Sequence, residues 1–143
     1  MYLDGAKPLE GRIIVETGYD LGESHINEQS IAEWMLSTFG GDITLQAEST
    51  IEGEKRADYC WLGKQWELKN TTTAKSADSA IRKALKQISQ NPGGIILDYG
   101  DNEVSLDEIL SVVQSRIQMS GSYEVDVMIK TNSGLQIIWR FKK

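Results

Sequence analysis

The sequence is poor in soft and borderline metal ligands: among its 143 residues there is one cysteine, Cys60, and one histidine, His25. A single thiol excludes an internal disulfide and a multi-cysteine zinc site, and a lone imidazole argues against a histidine-rich centre. Any bound metal is therefore expected to be held by carboxylates, backbone and water, a set that suits Mg²⁺ or Mn²⁺ better than Zn²⁺. Long apolar runs are missing as well, and no stretch approaches the length of a membrane span, so no membrane partner is expected. The opening residues, Met1 to Pro8, lack the apolar core of a signal peptide. A domain excised from a larger parent behind a new start codon would begin in the same way.

What is present is ordinary for a globular chain. Hydrophobic residues make up 40% and charged residues 25%, and the length fits one domain, residues 1–143, with a sizeable core. No internal repeat or low-complexity linker interrupts it. The formal net charge is −6, which by itself speaks against a nucleic-acid binder, because phosphate contacts need cations. The distribution qualifies this. Residues 55–86 hold eight Lys and Arg against three Asp and Glu, a local net of +5 that leaves −11 elsewhere. A charge run of this kind is commonly a solvated face; the alternative is a nucleic-acid surface.

Periodicity predicts the order β-α-β-β-β-α-β-α-β-β, hence an α/β fold with a mixed central sheet flanked by helices. Ile13 to Val15 suit a short strand. A helix is expected from an Asn27 N-cap, with Glu28 in its first turn and Ile31, Ala32, Met35, Leu36 and Phe39 on its buried face. Gly40-Gly41 ends it. Ile43 to Ala47 reads as a strand and residues 48–56 as a loop. A second helix starts at Ser76, buries Ala77, Ile81, Ala84, Leu85 and Ile88, and stops at Asn91-Pro92-Gly93-Gly94. Ile95 to Tyr99 is an apolar strand. Ser105 and Glu108 form a capping box for a third helix that buries Leu106, Ile109, Leu110, Val113 and Ile117. Tyr123 to Ile129 and Gly134 to Phe141 close the sheet.

The informative stretch lies between the first two helices. Residues 57–69 read as a hairpin, with Gly63-Lys64 as a two-residue type II′ loop. That loop pairs Leu62 with Gln65, Trp61 with Trp66, Cys60 with Glu67, Tyr59 with Leu68 and Asp58 with Lys69. Paired residues share a face, so Asp58, Cys60, Glu67 and Lys69 fall on one side and Tyr59, Trp61, Trp66 and Leu68 on the other. The plain reading of Asp58, Glu67 and Lys69 is a cross-strand salt bridge, contributing about 0.2–1 kcal/mol. The chemical reading is two hard-oxygen ligands for a divalent ion, beside a cation that can orient water or neutralise charge on a phosphate. Glu28 shares the inward face of its helix with Ala32 and Met35. It serves either the helix dipole or that same metal.

Glu28 on a helix, Asp58 on a strand and Glu67-Leu68-Lys69 on the paired strand resemble the core of the PD-(D/E)XK nucleases, with Ala57 where the motif often has proline. Ala57-Asp58-Tyr59, Gly63-Lys64, Trp66-Glu67-Leu68-Lys69 and Lys86-Gln87 look closer to one branch, the C-terminal toxin domains of contact-dependent growth inhibition systems, some of which are tRNases. The resemblance covers roughly residues 25–98. It implies a metal-dependent endonuclease with Glu28, Asp58 and Glu67 as catalytic metal-binding residues and Lys69 assisting the attacking water. The substrate that the resemblance implies is tRNA, or DNA cut by the same site. It further implies a cognate immunity protein, and action in the cytoplasm of a target bacterium after export within a larger protein.

Asn70, Thr72, Lys83 and Gln87 are candidate substrate-binding residues, although Asn70 and Thr72 equally suit a turn, and Lys83 and Gln87 a solvated helix face. Arg82 and Lys86 make a similar pair. Cys60 reads as a small space-filler. His25 reads as a loop or capping residue, with a general-base role as the alternative. Trp34, Trp61, Trp66 and Trp139 read as packing residues. A 2′-hydroxyl route using a His/Lys pair fits poorly with one histidine. The competing class is a non-enzymatic acidic immunity or adaptor protein, in which Glu28 has no reason to converge on the hairpin's charged face.

Overall fold

The computed structural model describes residues 10–47, 56–121, 124–132 and 134–141, the last of these as backbone. Seven strands form one mixed sheet in which every strand lies beside its neighbours in sequence: β1 Ile13–Val15, β2 Ile43–Leu45, β3 Tyr59–Trp61, β4 Lys64–Asn70, β5 Pro92–Asp98, β6 Val125–Thr131 and β7 Gly134–Phe141. Helices α1 (Ile26–Thr38), α2 (Ser76–Gln87) and α3 (Leu106–Ser120) span the three parallel connections, β1–β2, β4–β5 and β5–β6. Parallel neighbours need such crossovers, whereas β2–β3, β3–β4 and β6–β7 are antiparallel. The expected fold class and element order hold.

Two cores form, one on each face. The α2 and α3 side gathers Ala77, Ile81, Ala84, Leu85, Ile109 and Val113 over Ile95 and Leu97. The α1 side gathers Ile31, Ala32, Met35 and Phe39 over Tyr59, Trp61, Trp66, Leu68 and Ile96. Both sets follow the helical stripes and strand alternation expected from the sequence. Aromatic contacts join the α1 side, Phe39 tilted against Trp61 at 5.5 Å and Trp61 edge-on to Trp66 at 4.9 Å between ring centroids. Such pairs add about 0.5–1.5 kcal/mol to their area burial. The Trp61 indole N–H donates to the Gly40 carbonyl at 2.9 Å, so the ring is satisfied as well as buried.

Three local expectations are corrected. First, the hairpin loop is Leu62-Gly63, not Gly63-Lys64, and both loop residues have positive φ, 53° and 75°. That is a type I′ geometry, whose twist matches the flanking strands. Trp61 therefore pairs with Lys64, Cys60 with Gln65 and Tyr59 with Trp66. The shift is two residues, so each side chain keeps its predicted face. Second, α1 starts at Ile26 with His25 at its N-cap and no side-chain cap bond, so Asn27 lies inside the first turn. The Asn27 amide donates to Asn70 Oδ1 at 2.7 Å instead. Third, Pro92-Gly93-Gly94 belongs to β5 and does not act only as a helix stop. A side chain at either glycine would collide with the Trp66 indole. The capping box at Ser105 is present, its hydroxyl accepting from the Glu108 N–H at 3.4 Å. Most of the predicted 48–56 loop, together with Tyr123 and Ser133 of the closing strands, lies outside the described residues.

Candidate active site

β3 begins at Tyr59, while β4 runs on to Asn70. Beyond Trp66 the β4 edge therefore loses its neighbour, and the chain just before β3 supplies side-chain partners instead. Asp58 Oδ2 accepts from the Leu68 N–H at 2.9 Å, and Glu67 Oε1 accepts from the Asp58 N–H at 3.0 Å. These two reciprocal bonds pin Asp58 against Glu67. Lys69, two residues along the same face, places Nζ 3.3 Å from Glu67 Oε2. Glu67 and Lys69 pair with Ile95 and Leu97, which puts them on the α2 and α3 side of the sheet.

Glu28 comes from the opposite face. It reaches the gap beside β4 just before β3 starts, and α1 is fastened there by the Tyr59 hydroxyl donating to the Glu28 carbonyl at 2.7 Å. The Tyr19 hydroxyl holds the Glu28 carboxylate at Oε2, 2.9 Å away. Asp58 lies between the two glutamates, close enough for its charge to perturb each. Burial first, then the Asp58 charge, pushes Glu28 up to about 7. The same causes, in the same order, push Glu67 up to about 8 against the opposing pull of Lys69. Glu67 is 6% exposed, which makes it one of the few buried ionisable side chains on the described surface. Burial also raises the Tyr19 and Tyr59 hydroxyls, so both remain protonated donors.

Of the four residues predicted from sequence, Glu28 neighbours Asp58, Asp58 is bonded to Glu67, and Glu67 is paired with Lys69. The donors are hard oxygens, and their mutual repulsion is the condition that a divalent cation relieves. Among the described residues, however, no three His, Cys, Asp or Glu side chains are gathered tightly enough to hold an ion as placed. Glu67 instead spends its oxygens on the Asp58 N–H and Lys69. The donor set, all carboxylate oxygens, fits a hard divalent metal in its chemistry.

Two clefts flank this cluster. One, on the α2 side, is shallow and lined by Lys69, Asn70, Thr71, Thr72, Ser76, Ser79, Ala80 and Lys83. Three of the predicted substrate-binding residues, Asn70, Thr72 and Lys83, sit in it, and Gln87, one turn further along α2, lies outside its lining. The other is a cleft of about 300 Å³, lined by Gly18, Tyr19, Asp20, His25, Glu28, Gln46, Ala47, Arg56, Ala57 and Asp58. Its back wall is a linked polar set. Arg56 makes a bidentate pair with Glu16 at 2.6 and 2.8 Å and donates to Gln46 Oε1 at 3.2 Å. Gln46 in turn donates to Gln65 at 2.8 Å. The Arg56 guanidinium holds the Glu16 carboxyl below its ordinary value.

Sequence reasoning did not single out Tyr19 or Arg56 for the site, and read His25 as a loop or capping residue with a general base as the alternative; His25 stands at the N-cap of α1. Tyr19 stands nine residues before Glu28 in a loop, and Arg56 follows a polar segment; neither position carries a motif or a period. Cys60 is partly buried, consistent with a space-filler. Trp61 and Trp66 are core residues, and Trp34 packs on Phe39, with Lys130 Nζ 5.7 Å above its ring.

No family model matches the sequence, and no curated protein matches it. Among solved structures, a chain of a CdiA-CT/CdiI toxin and immunity complex from Burkholderia pseudomallei has a similar fold. The TM-score is 0.58 over 96% of this chain and 97% of that one, at 18% identity, a likeness of whole-chain architecture.

Proposed function

We propose that this chain is a metal-dependent endonuclease of the PD-(D/E)XK type that acts as a toxin in competition between bacteria, with tRNA as the favoured substrate. The observation that carries the reading is the meeting of Glu28 with Asp58, which is itself bonded to Glu67, beside the start of β3. A helix that merely covered the sheet would have no need to aim a carboxylate at another that is already bonded to a third. Support also comes from the fold shared with a chain of a CdiA-CT/CdiI complex. In this reading Glu28, Asp58 and Glu67 would hold Mg²⁺ or Mn²⁺, which would supply Lewis acidity toward the scissile phosphate and the attacking water. Lys69 orients the attacking water and offsets charge developing on phosphorus. Lys83, Asn70 and Thr72 take a neighbouring phosphate in the α2 cleft. A cognate immunity protein is the expected protein partner, and delivery within a larger exported protein the expected route.

A second reading is the immunity side of such a pair, because the similar structure is a toxin and immunity complex and this chain carries a net charge of −6. A third keeps the nuclease site and replaces tRNA with DNA. One experiment separates them. Purified protein is incubated with total tRNA and with plasmid DNA, in Mg²⁺, Mn²⁺, Zn²⁺ or chelator, beside Asp58→Ala and Lys69→Ala. Metal-dependent cutting of tRNA that both variants lose is expected. Cutting that survives chelator, or survives in both variants, sinks the mechanism; cutting of DNA alone moves only the substrate. No cutting under any condition, with tight binding to a nuclease toxin, establishes the immunity reading.

A further inference from the structure

The cleft on the α1 side faces the proposed reaction centre, with Glu28 and Asp58 in its wall, yet no step above uses it. Phosphate is the wrong guest for it. Asp20, Glu28 and Asp58 contribute three carboxylates, and Arg56 is already neutralised by its bidentate pair with Glu16. An anion entering there meets repulsion, whereas the α2 cleft, on the other side of the carboxylates, presents Lys69 and Lys83. The α1 cleft instead offers what a neutral planar ring requires. Tyr19 and His25 bring their rings together at its wall, 5.2 Å apart and tilted by 45°. Its volume of about 300 Å³ is at the low end for small-molecule sites and enough for one base.

We propose that this cleft receives the base of an unpaired nucleotide beside the scissile phosphate, stacked on Tyr19 and His25. The substrate is therefore a single strand or loop, not a continuous duplex. The inference rests on the nuclease reading and deepens it. A base inside a duplex is stacked and paired and would first have to be flipped out, whereas loops present their bases already splayed. The strand then crosses the carboxylates with its backbone on the lysines of the α2 cleft and one base in the α1 cleft. Aromatic stacking supplies affinity without demanding a particular base.

The test is binding of fluorescein-labelled RNA octamers by anisotropy in chelator. Compared are an oligouridine octamer, the same backbone with abasic sites at its central positions, and the octamer annealed to its complement. Wild-type protein is expected to prefer the single strand with bases by about tenfold over both others. His25→Ala and Tyr19→Ala erase that preference, and Tyr19→Phe, which loses the hydroxyl and keeps the ring, retains it. Lys83→Ala weakens the base-bearing and abasic strands alike. Equal binding of abasic and base-bearing strands overturns the proposal, as does a duplex preference, a preference that survives His25→Ala and Tyr19→Ala, or no binding of any octamer. Melting curves of each variant separate a lost ring from a lost fold. Metal-dependent cutting of tRNA by the same preparation decides whether a failure belongs to this cleft alone or to the nuclease reading beneath it.

Discussion

At the scale of single residues, Glu67 carries opposed demands. It is buried beside Asp58, and its carboxyl is pushed up to about 8, so ionisation costs the fold free energy. Replacing it by glutamine removes that cost and retains an oxygen for the Asp58 N–H. Glu67→Gln is expected to raise the melting temperature at pH 8 in chelator by a few degrees, on the order of 1 kcal/mol for a domain of this size. Metal-dependent cleavage is expected to fall about 10²-fold or more in the same protein. Calorimetry beside a single-turnover assay checks both halves; a variant that is less stable and equally active contradicts the assignment. Such a trade of stability for chemistry is usual where charge is concentrated for a purpose.

Elements show where sequence reading succeeds and where it stops. The faces of Asp58, Glu67 and Lys69 were legible because a hairpin shift of two residues preserves parity; a shift of one would have inverted them. The loop itself was not legible, since Leu62 is a poor candidate for positive φ and occupies it at 53°. The helical stripes on α2 and α3 were read correctly from their spacing. The meeting of Tyr19, His25 and Arg56 in one cleft was not, because residues outside the periodic stripes meet by tertiary folding. Two glycines test this account of local structure. Gly63 has φ 75° with open space around it, so Gly63→Ala costs only backbone strain, about 1–2 kcal/mol. At Gly94 an added carbon would lie 2.6 Å from the Asp126 carbonyl oxygen and against the Trp66 ring, between packed strands. Gly94→Ala is expected to cost more than twice as much by urea denaturation. Equal costs would mean that the Trp66 indole is free to move away.

For the molecule as a whole, the raised glutamates set the pH dependence of stability. Glu28 and Glu67 titrate near 7 and 8 when folded and near 4.5 otherwise. Between those limits the folded state keeps protons that the unfolded state has lost, so the stabilisation is complete below about 4.5 and disappears as pH rises through 7 and 8. In chelator the melting temperature is expected to fall between pH 5.5 and 8.5, and saturating Mn²⁺ to flatten the fall by taking the place of those protons. A melting temperature that climbs steadily across this range in chelator contradicts the placement of the carboxylates.

The strand order has a consequence of another kind. Because each strand of the sheet lies beside its sequence neighbours, none has to be inserted between two that are already paired. The contacts that close the sheet are between adjacent segments, which keeps the loops to be closed short. A chain drawn end first through a narrow opening can thus regain its architecture in the order in which it emerges, each segment finding its partner already there or next to arrive.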